Sequence, residues 1–108
     1  MKPKPLDRAL ENMAPEKLAR AADLLKTLAH PARLRVVDLL NAAGRLPVAA
    51  ITEHLGLTQS ATSQHLNHMR RVGLLESERR GKEVWYSIAD ARPIALLNCL
   101  CDCRDGNS

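Results

Sequence analysis

The chain has 108 residues, enough for one domain with a thin core that a partner subunit would help to complete. Hydrophobic residues make up 45%, yet Phe is absent and Trp85 and Tyr86 are the aromatics, so Leu, Val, Ile and Ala must fill the interior and helical packing is the natural outcome. A formal charge of +4 suits a polyanionic partner, no run approaches the ~20 apolar residues of a membrane span, and the start Met-Lys-Pro-Lys-Pro lacks the apolar stretch of a signal peptide. These features predict a cytoplasmic protein with no membrane partner. Its odd count of three cysteines argues for thiols rather than a disulfide framework.

Residues 1–15 mix Lys, Pro and Asp with few apolar positions and read as a mobile or loosely helical arm. From Glu16, Leu18, Ala22, Leu25 and Leu28 recur at three- and four-residue steps, the stripe of an amphipathic helix. His30-Pro31 breaks it, and Pro31 opens a second helix to about Asn41 with Leu34, Val37 and Leu40 inward. Gly44 ends that segment. Pro47 opens a third, short helix burying Val48, Ile51 and Leu55, and Gly56 makes the turn that follows. Thr58 is placed to cap the fourth helix, whose register puts Leu66 and Met69 against the core. Glu78 to Ile88 then gives two short strand-like runs around Arg80-Gly81-Lys82, a β-hairpin. Asp90 fits the N-cap of a last helix with Pro93 in its first turn and Ile94, Leu97, Leu100 and the cysteines along it.

The run Leu55-Gly-Leu-Thr-Gln-Ser-Ala-Thr-Ser-Gln-His-Leu-Asn-His-Met-Arg-Arg71 is a helix end, a Gly turn and a second helix with slim polar side chains. A helix enters the DNA major groove only with such residues leading, because Gln and Ser offer donors and acceptors to base edges. At ~100° per residue, Ser60, Gln64, Asn67 and Arg71 turn outward, with Ser63, His65 and Arg70 at the margins. Gln59 and Thr62 complete this polar run as candidate contacts. Arg79, Arg80 and Lys82 on the hairpin suit phosphate or the minor groove. Between Gln59 and Lys82 five basic residues face only Glu76 and Glu78. The reading is a mainly α winged helix-turn-helix, and enzyme chemistry is excluded by the lack of a Gly-rich phosphate loop, a His-Glu-x-x-His or a catalytic Cys/His pair.

Three phrases, Leu-Ala-His-Pro-Ala-Arg-Leu-Arg at 28–35, Leu-Gly-Leu-Thr-Gln-Ser-Ala-Thr-Ser-Gln-His-Leu at 55–66 and Arg-Arg-Gly-Lys-Glu-Val-Trp-Tyr-Ser-Ile at 79–88, resemble the ArsR/SmtB family of bacterial repressors over roughly residues 16–103. The resemblance implies a homodimer joined by its first and last helices, sitting on an inverted-repeat operator in double-stranded DNA and released when a ligand changes the dimer geometry. It also favours the front of the fourth helix, Gln59, Ser60, Ser63 and His65, as base-facing. Residues 104–108 are left as a tail.

The last helix carries Cys99, Cys101 and Cys103, soft donors for Cd(II), Zn(II), Cu(I) or trivalent arsenic and antimony. In a continuous helix Cys101 is rotated roughly 200° from Cys99, so three sulfurs meet at one ion only if the final turn unwinds, as Gly106 permits, or if both subunits contribute. Of the metal sites usual in the family, the Cys-x-Cys position before the turn is Leu46-Pro-Val-Ala-Ala-Ile51, without a thiol. The other retains Asp90 but has Arg92 at the first His, Cys103 at the second and Gly106 at the final ligand. No cofactor is required. The expected effector is arsenite, antimonite or a soft metal ion at Cys99, Cys101 and Cys103. Alternatives are a redox or reactive-sulfur switch through the same cysteines, or an effector-independent DNA-binding regulator. His30, His54, His65 and His68, spread along the chain, read as structural or DNA-facing.

Overall fold

A computed structural model describes residues 8–105, with side chains up to residue 101. Chain order is α1 (Pro15–Leu28), α2 (Pro31–Ala43), β1 (Arg45–Pro47), α3 (Val48–Leu55), α4 (Gln59–Arg71), β2 (Leu75–Arg80), β3 (Glu83–Ile88) and α5 (Arg92–Asp105). Residues 8–12 form hydrogen-bonded turns, with the Glu11 amide donating to the Arg8 carbonyl at 3.2 Å and the Met13 amide to the Leu10 carbonyl at 3.1 Å. Residues 1–7 of the predicted arm and 106–108 of the tail lie outside the described residues, as does the Cys103 side chain, and Pro15, the last residue of that arm, already begins α1.

His30 takes the extended backbone that a residue before proline prefers, and its Nδ1 accepts the Ala32 amide at 3.1 Å to start α2. That helix lies at the centre, packed against α1, α3, α4, α5, β1 and β3. Its fully buried residues are Val36, Val37 and Leu40, whereas Leu34, expected inside, is half-buried. Because α2 is covered on several sides, a single stripe underestimates what it buries. Ile51 and Leu55 of α3 and Leu66 and Met69 of α4 join it in one core, together with Leu74, Leu75 and Tyr86. The aliphatic interior read from composition thus also includes one aromatic ring.

The hairpin is present, and the sequence reading missed a third strand. β1 pairs antiparallel with β3, Arg45 opposite Ser87 and Pro47 opposite Trp85, giving the order β1-β3-β2. Three residues ending in proline carry no alternation to detect, so this strand exists only because β3 offers it an edge. Arg80 opposes Glu83 across the two-residue turn Gly81-Lys82, and Gly81 has the positive φ of 63° that such a turn demands. At the other end, the Asp90 carboxylate accepts the Arg92 amide at 3.0 Å at the start of α5. Among the described residues no helix is long and apolar enough to cross a membrane.

The predicted stripe of α1 divides. Leu28 is buried and Leu24 half-buried, but Leu18 is 42% and Leu25 57% exposed. On α5, Ile94 and Leu97 pack on the core while Leu96 and Leu100 remain 38% and 54% exposed.

Candidate nucleic-acid interface

The turn between α3 and α4 is built from short-range chemistry. Gly56 closes α3 in the left-handed region at φ 67°, which a glycine adopts without strain. Thr58 then has extended backbone, and its hydroxyl oxygen accepts the Ala61 amide at 3.0 Å, satisfying one of the free donors at the start of α4. Leu66 and Met69, both fully buried, fix the rotation of α4 about its axis. With that face anchored, Gln59, Ser60, Gln64, Asn67, Arg70 and Arg71 are exposed and Ser63 is half-buried at the edge.

One of the expected contacts is corrected, and another has a partner inside the chain. Thr62 is fully buried, and its hydroxyl donates to the Thr58 carbonyl at 2.9 Å, so it locks the first turn of α4 and has no surface to present to a base. It lies on the Leu66 side of the helix, where a polar residue type concealed a core position. His65 is half-buried and faces α2: its Nδ1 accepts Arg33 Nε at 3.0 Å, and its ring meets His30 edge to face at 4.6 Å between centroids. Burial pulls the His65 imidazole below its ordinary 6.5, and the nearby His30, Arg33 and His68 push it further down. A neutral ring accepting at Nδ1 fits this environment.

The arginines of the 28–35 phrase are functional in a way that sequence reasoning missed. Arg33 donates Nη1 to the Thr27 carbonyl at 3.1 Å as well as binding His65, which ties the end of α1 to α4. Arg35 donates to the His54 and Leu55 carbonyls at 2.8 and 3.4 Å, closing the last turn of α3. Their available signal was two cations set among the apolar residues of the first half of α2. Likewise His30, His65 and His68, dispersed in sequence, converge here, with His68 Nε2 3.4 Å from the Thr27 hydroxyl.

Two clefts flank the outer face of α4. In one, of about 240 Å³, Gln59 and Ser63 face Lys82 and Glu83 of the hairpin across Pro47, Val48 and Ala49. In the other, Arg33, Gln64, Asn67, His68, Arg70 and Arg71 line an open concavity. Asn67 Oδ1 also accepts from the Tyr86 hydroxyl at 3.4 Å, linking α4 to β3. On the hairpin Arg79 and Lys82 are exposed without an ion pair among the described residues, while Arg80 is engaged: its Nε lies 3.0 Å from Glu78 Oε1 and its guanidinium 5.6 Å from the Trp85 ring centroid. The Arg80 hydrogen bond holds the Glu78 carboxyl below its ordinary range.

Known proteins share this arrangement. A helix-turn-helix domain family model matches residues 28–78. The transcriptional regulator YgaV of Escherichia coli K12 is 38% identical over 81 residues, 75% of this chain and 82% of the relative. The transcriptional repressor PagR of Bacillus anthracis is 39% identical over 95 residues, covering 88% and 92% of the two chains, and its crystal structure superposes with a TM-score of 0.70 over 79% of this chain and 97% of that one. A homodimeric winged helix-turn-helix DNA-binding domain from Mycobacterium bovis, a candidate ArsR-family regulator, gives a TM-score of 0.74 at 28% identity, covering 92% and 91%. The chain belongs to the ArsR/SmtB-like family of winged helix-turn-helix transcriptional regulators.

In this ArsR/SmtB-type chain α3 and α4 form the helix-turn-helix and the β2–β3 hairpin the wing. Its relatives are regulators of transcription, not enzymes. The cysteine-bearing end of α5 is helical through Asp105, and the Cys99 and Cys101 thiols are exposed. Among the described residues no three His, Cys, Asp or Glu side chains converge as a metal-ligand set.

Proposed function

We propose that the chain is a dimeric repressor that reads an inverted-repeat operator through Gln59, Ser60, Ser63, Gln64 and Asn67 of α4. Arg70, Arg71, Arg79, Arg80 and Lys82 engage phosphates around that contact. The observation that carries this reading is the cleft in which Gln59 and Ser63 stand opposite Lys82, so that base-reading and phosphate-binding side chains share one surface. Leu18 and Leu25 of α1, with Leu96 and Leu100 of α5, supply an apolar face for a second subunit. Gel shifts test the division of roles. Removing the side chains of Arg79, Arg80 and Lys82 together should weaken all duplexes alike and flatten the salt dependence by up to ~0.9 per lost phosphate contact, whereas Ser63→Ala or Gln59→Ala should mainly erode discrimination between operators. Indistinguishable behaviour of the two sets would refute it.

For the effector, the chemistry of Cys99, Cys101 and Cys103 favours arsenite, antimonite or a soft metal ion. An unbroken α5 supports a site completed across the dimer or by unwinding of the final turn, since Cys99 and Cys101 lie on different sides of one helix. Exposure of both thiols favours a second reading, oxidation or persulfuration of the same residues. Replacing all three cysteines by Ser should leave DNA binding intact and abolish release by either class. Release that persists in the triple variant would move the sensor elsewhere.

A further inference from the structure

A cavity of about 470 Å³ between α1, the end of α4 and the start of α5 is lined by Lys17, Arg20, Arg71 and Arg92, with Asp23 as its one acidic residue and Met13, Leu24 and Val72 among its apolar ones. Arg92 is committed, because Asp90 chelates it with Nη2 to Oδ2 at 2.6 Å and Nε to Oδ1 at 2.9 Å. Lys17, Arg20 and Arg71 are exposed and have no ion-pair partner among the described residues. Like charges gathered around a hollow repel one another unless an anion enters.

Arg71 also lines the open concavity on the outer face of α4, so the cations of α1 continue the recognition surface instead of forming a separate site. Arg20 is also clear of the apolar face of α1, and Lys17 lies at its margin, ~80° from Leu25. At ~100° per residue Leu18 and Leu25 point within ~20° of each other, while Arg20 is turned ~140° from Leu25. The Leu18–Leu25 side of α1 is thus left for a subunit and the Arg20 side for an anion, the two adjoining at Ala21 and Leu24, which line both this cavity and an apolar one beside it.

We propose that α1 carries a second phosphate-binding surface, in which Lys17 and Arg20, beside Arg71, hold the DNA backbone outside the stretch read by α4. This rests on the DNA reading of α4 and extends the footprint of each subunit beyond the groove that α4 enters. It adds affinity without sequence information, because a phosphate is the same at every base pair.

The test compares wild type with the double variant Lys17→Gln, Arg20→Gln on a duplex selected from a random pool by the wild-type protein, in two lengths: ending at the half-sites, or extended by about one helical turn on each side. On the long duplex the slope of log affinity against log salt should fall by about one to two, at ~0.9 per phosphate, with sequence preference unchanged. On the short duplex the two proteins should converge. Asp23→Asn, which removes the one acid in the cavity, should tighten binding to the long duplex, and this opposite sign keeps the test decisive if the double variant folds poorly. Equal slopes on the long duplex overturn the proposal. Saturable binding of inorganic phosphate that the double variant loses while its DNA slope stays unchanged also overturns it, and assigns the cavity to a free anion. A wild-type protein that selects no sequence counts against the reading of α4, and the slope comparison is then made on generic duplex, where the same difference is expected.

Discussion

The segment from α2 through the wing and the pair α1/α5 are built to different degrees of completeness. In the first, Val36, Ile51, Leu66 and Met69 are wholly buried, and Thr58, Thr62, Arg33 and Arg35 spend their polar groups on nearby backbone and side chains. In the second, Leu18, Leu25, Leu96 and Leu100 stay between 38% and 57% exposed, beside a mostly apolar cavity of about 260 Å³ whose lining includes Leu24, Leu25, Leu28, Pro93 and Leu96, with Arg92 at its edge. The first half is closed on itself, whereas the second leaves apolar surface for the partner subunit proposed above. An enclosed head beside an open apolar face suits the ligand-controlled repressor proposed above.

The comparison breaks most sharply in the core. Leu66→Ala should cost about 2–5 kcal/mol, because its side chain is fully enclosed and its neighbours α2 and α3 cannot collapse onto the space. Chemical denaturation measures this, and a loss below about 1 kcal/mol would show that α4 is held otherwise than by its buried face. In the α1/α5 half, Leu25→Ser with Leu96→Ser should leave helix content unchanged but raise the dimer dissociation constant at least tenfold. Burying one Leu is worth about 1.5–3 kcal/mol and a factor of ten needs only about 1.4 kcal/mol. Sedimentation across a concentration series reads the shift; an unmoved monomer–dimer equilibrium would place the interface on other residues.

The smallest effect concerns pH and sharpens the role of His65. Its pKa is lowered in the folded chain, so the unfolded chain binds more protons below the ordinary 6.5. The stability that a neutral His65 contributes is therefore full above that value and is lost as pH falls through 6.5 toward the folded pKa. His30, His68 and Arg33 surround the ring, so protonation there is opposed by every charged neighbour that shifts it. Melting temperature followed from about pH 7.5 to 5 should decline, and His65→Gln should decline less over the same range. Equal slopes would mean that the ring does not titrate against folding.

The ArsR/SmtB-type organisation was legible because its signals are local. The break at His30-Pro31, the left-handed glycine at 56, the Thr58 cap and the Gly81 turn each depend on a few adjacent residues, and each appears where the sequence reading placed it. β1 was not legible, since a three-residue strand is stabilised by its partner and not by its own pattern. Nor was the fate of Thr62 and His65: residue type marked them as polar, whereas neighbours distant in sequence decided that one is enclosed and the other turned toward Arg33.

By itself the sequence determined the helix-turn-helix, the wing and the polar run of α4, because backbone conformation and helical periodicity are encoded within a few residues. Only the tertiary structure decided which of those polar side chains are free to meet DNA and which clamp the helices, that three scattered histidines lie together, and that the α1 cations adjoin Arg71. Those outcomes depend on packing between segments far apart in the chain, and no local pattern specifies how two helices rotate against each other.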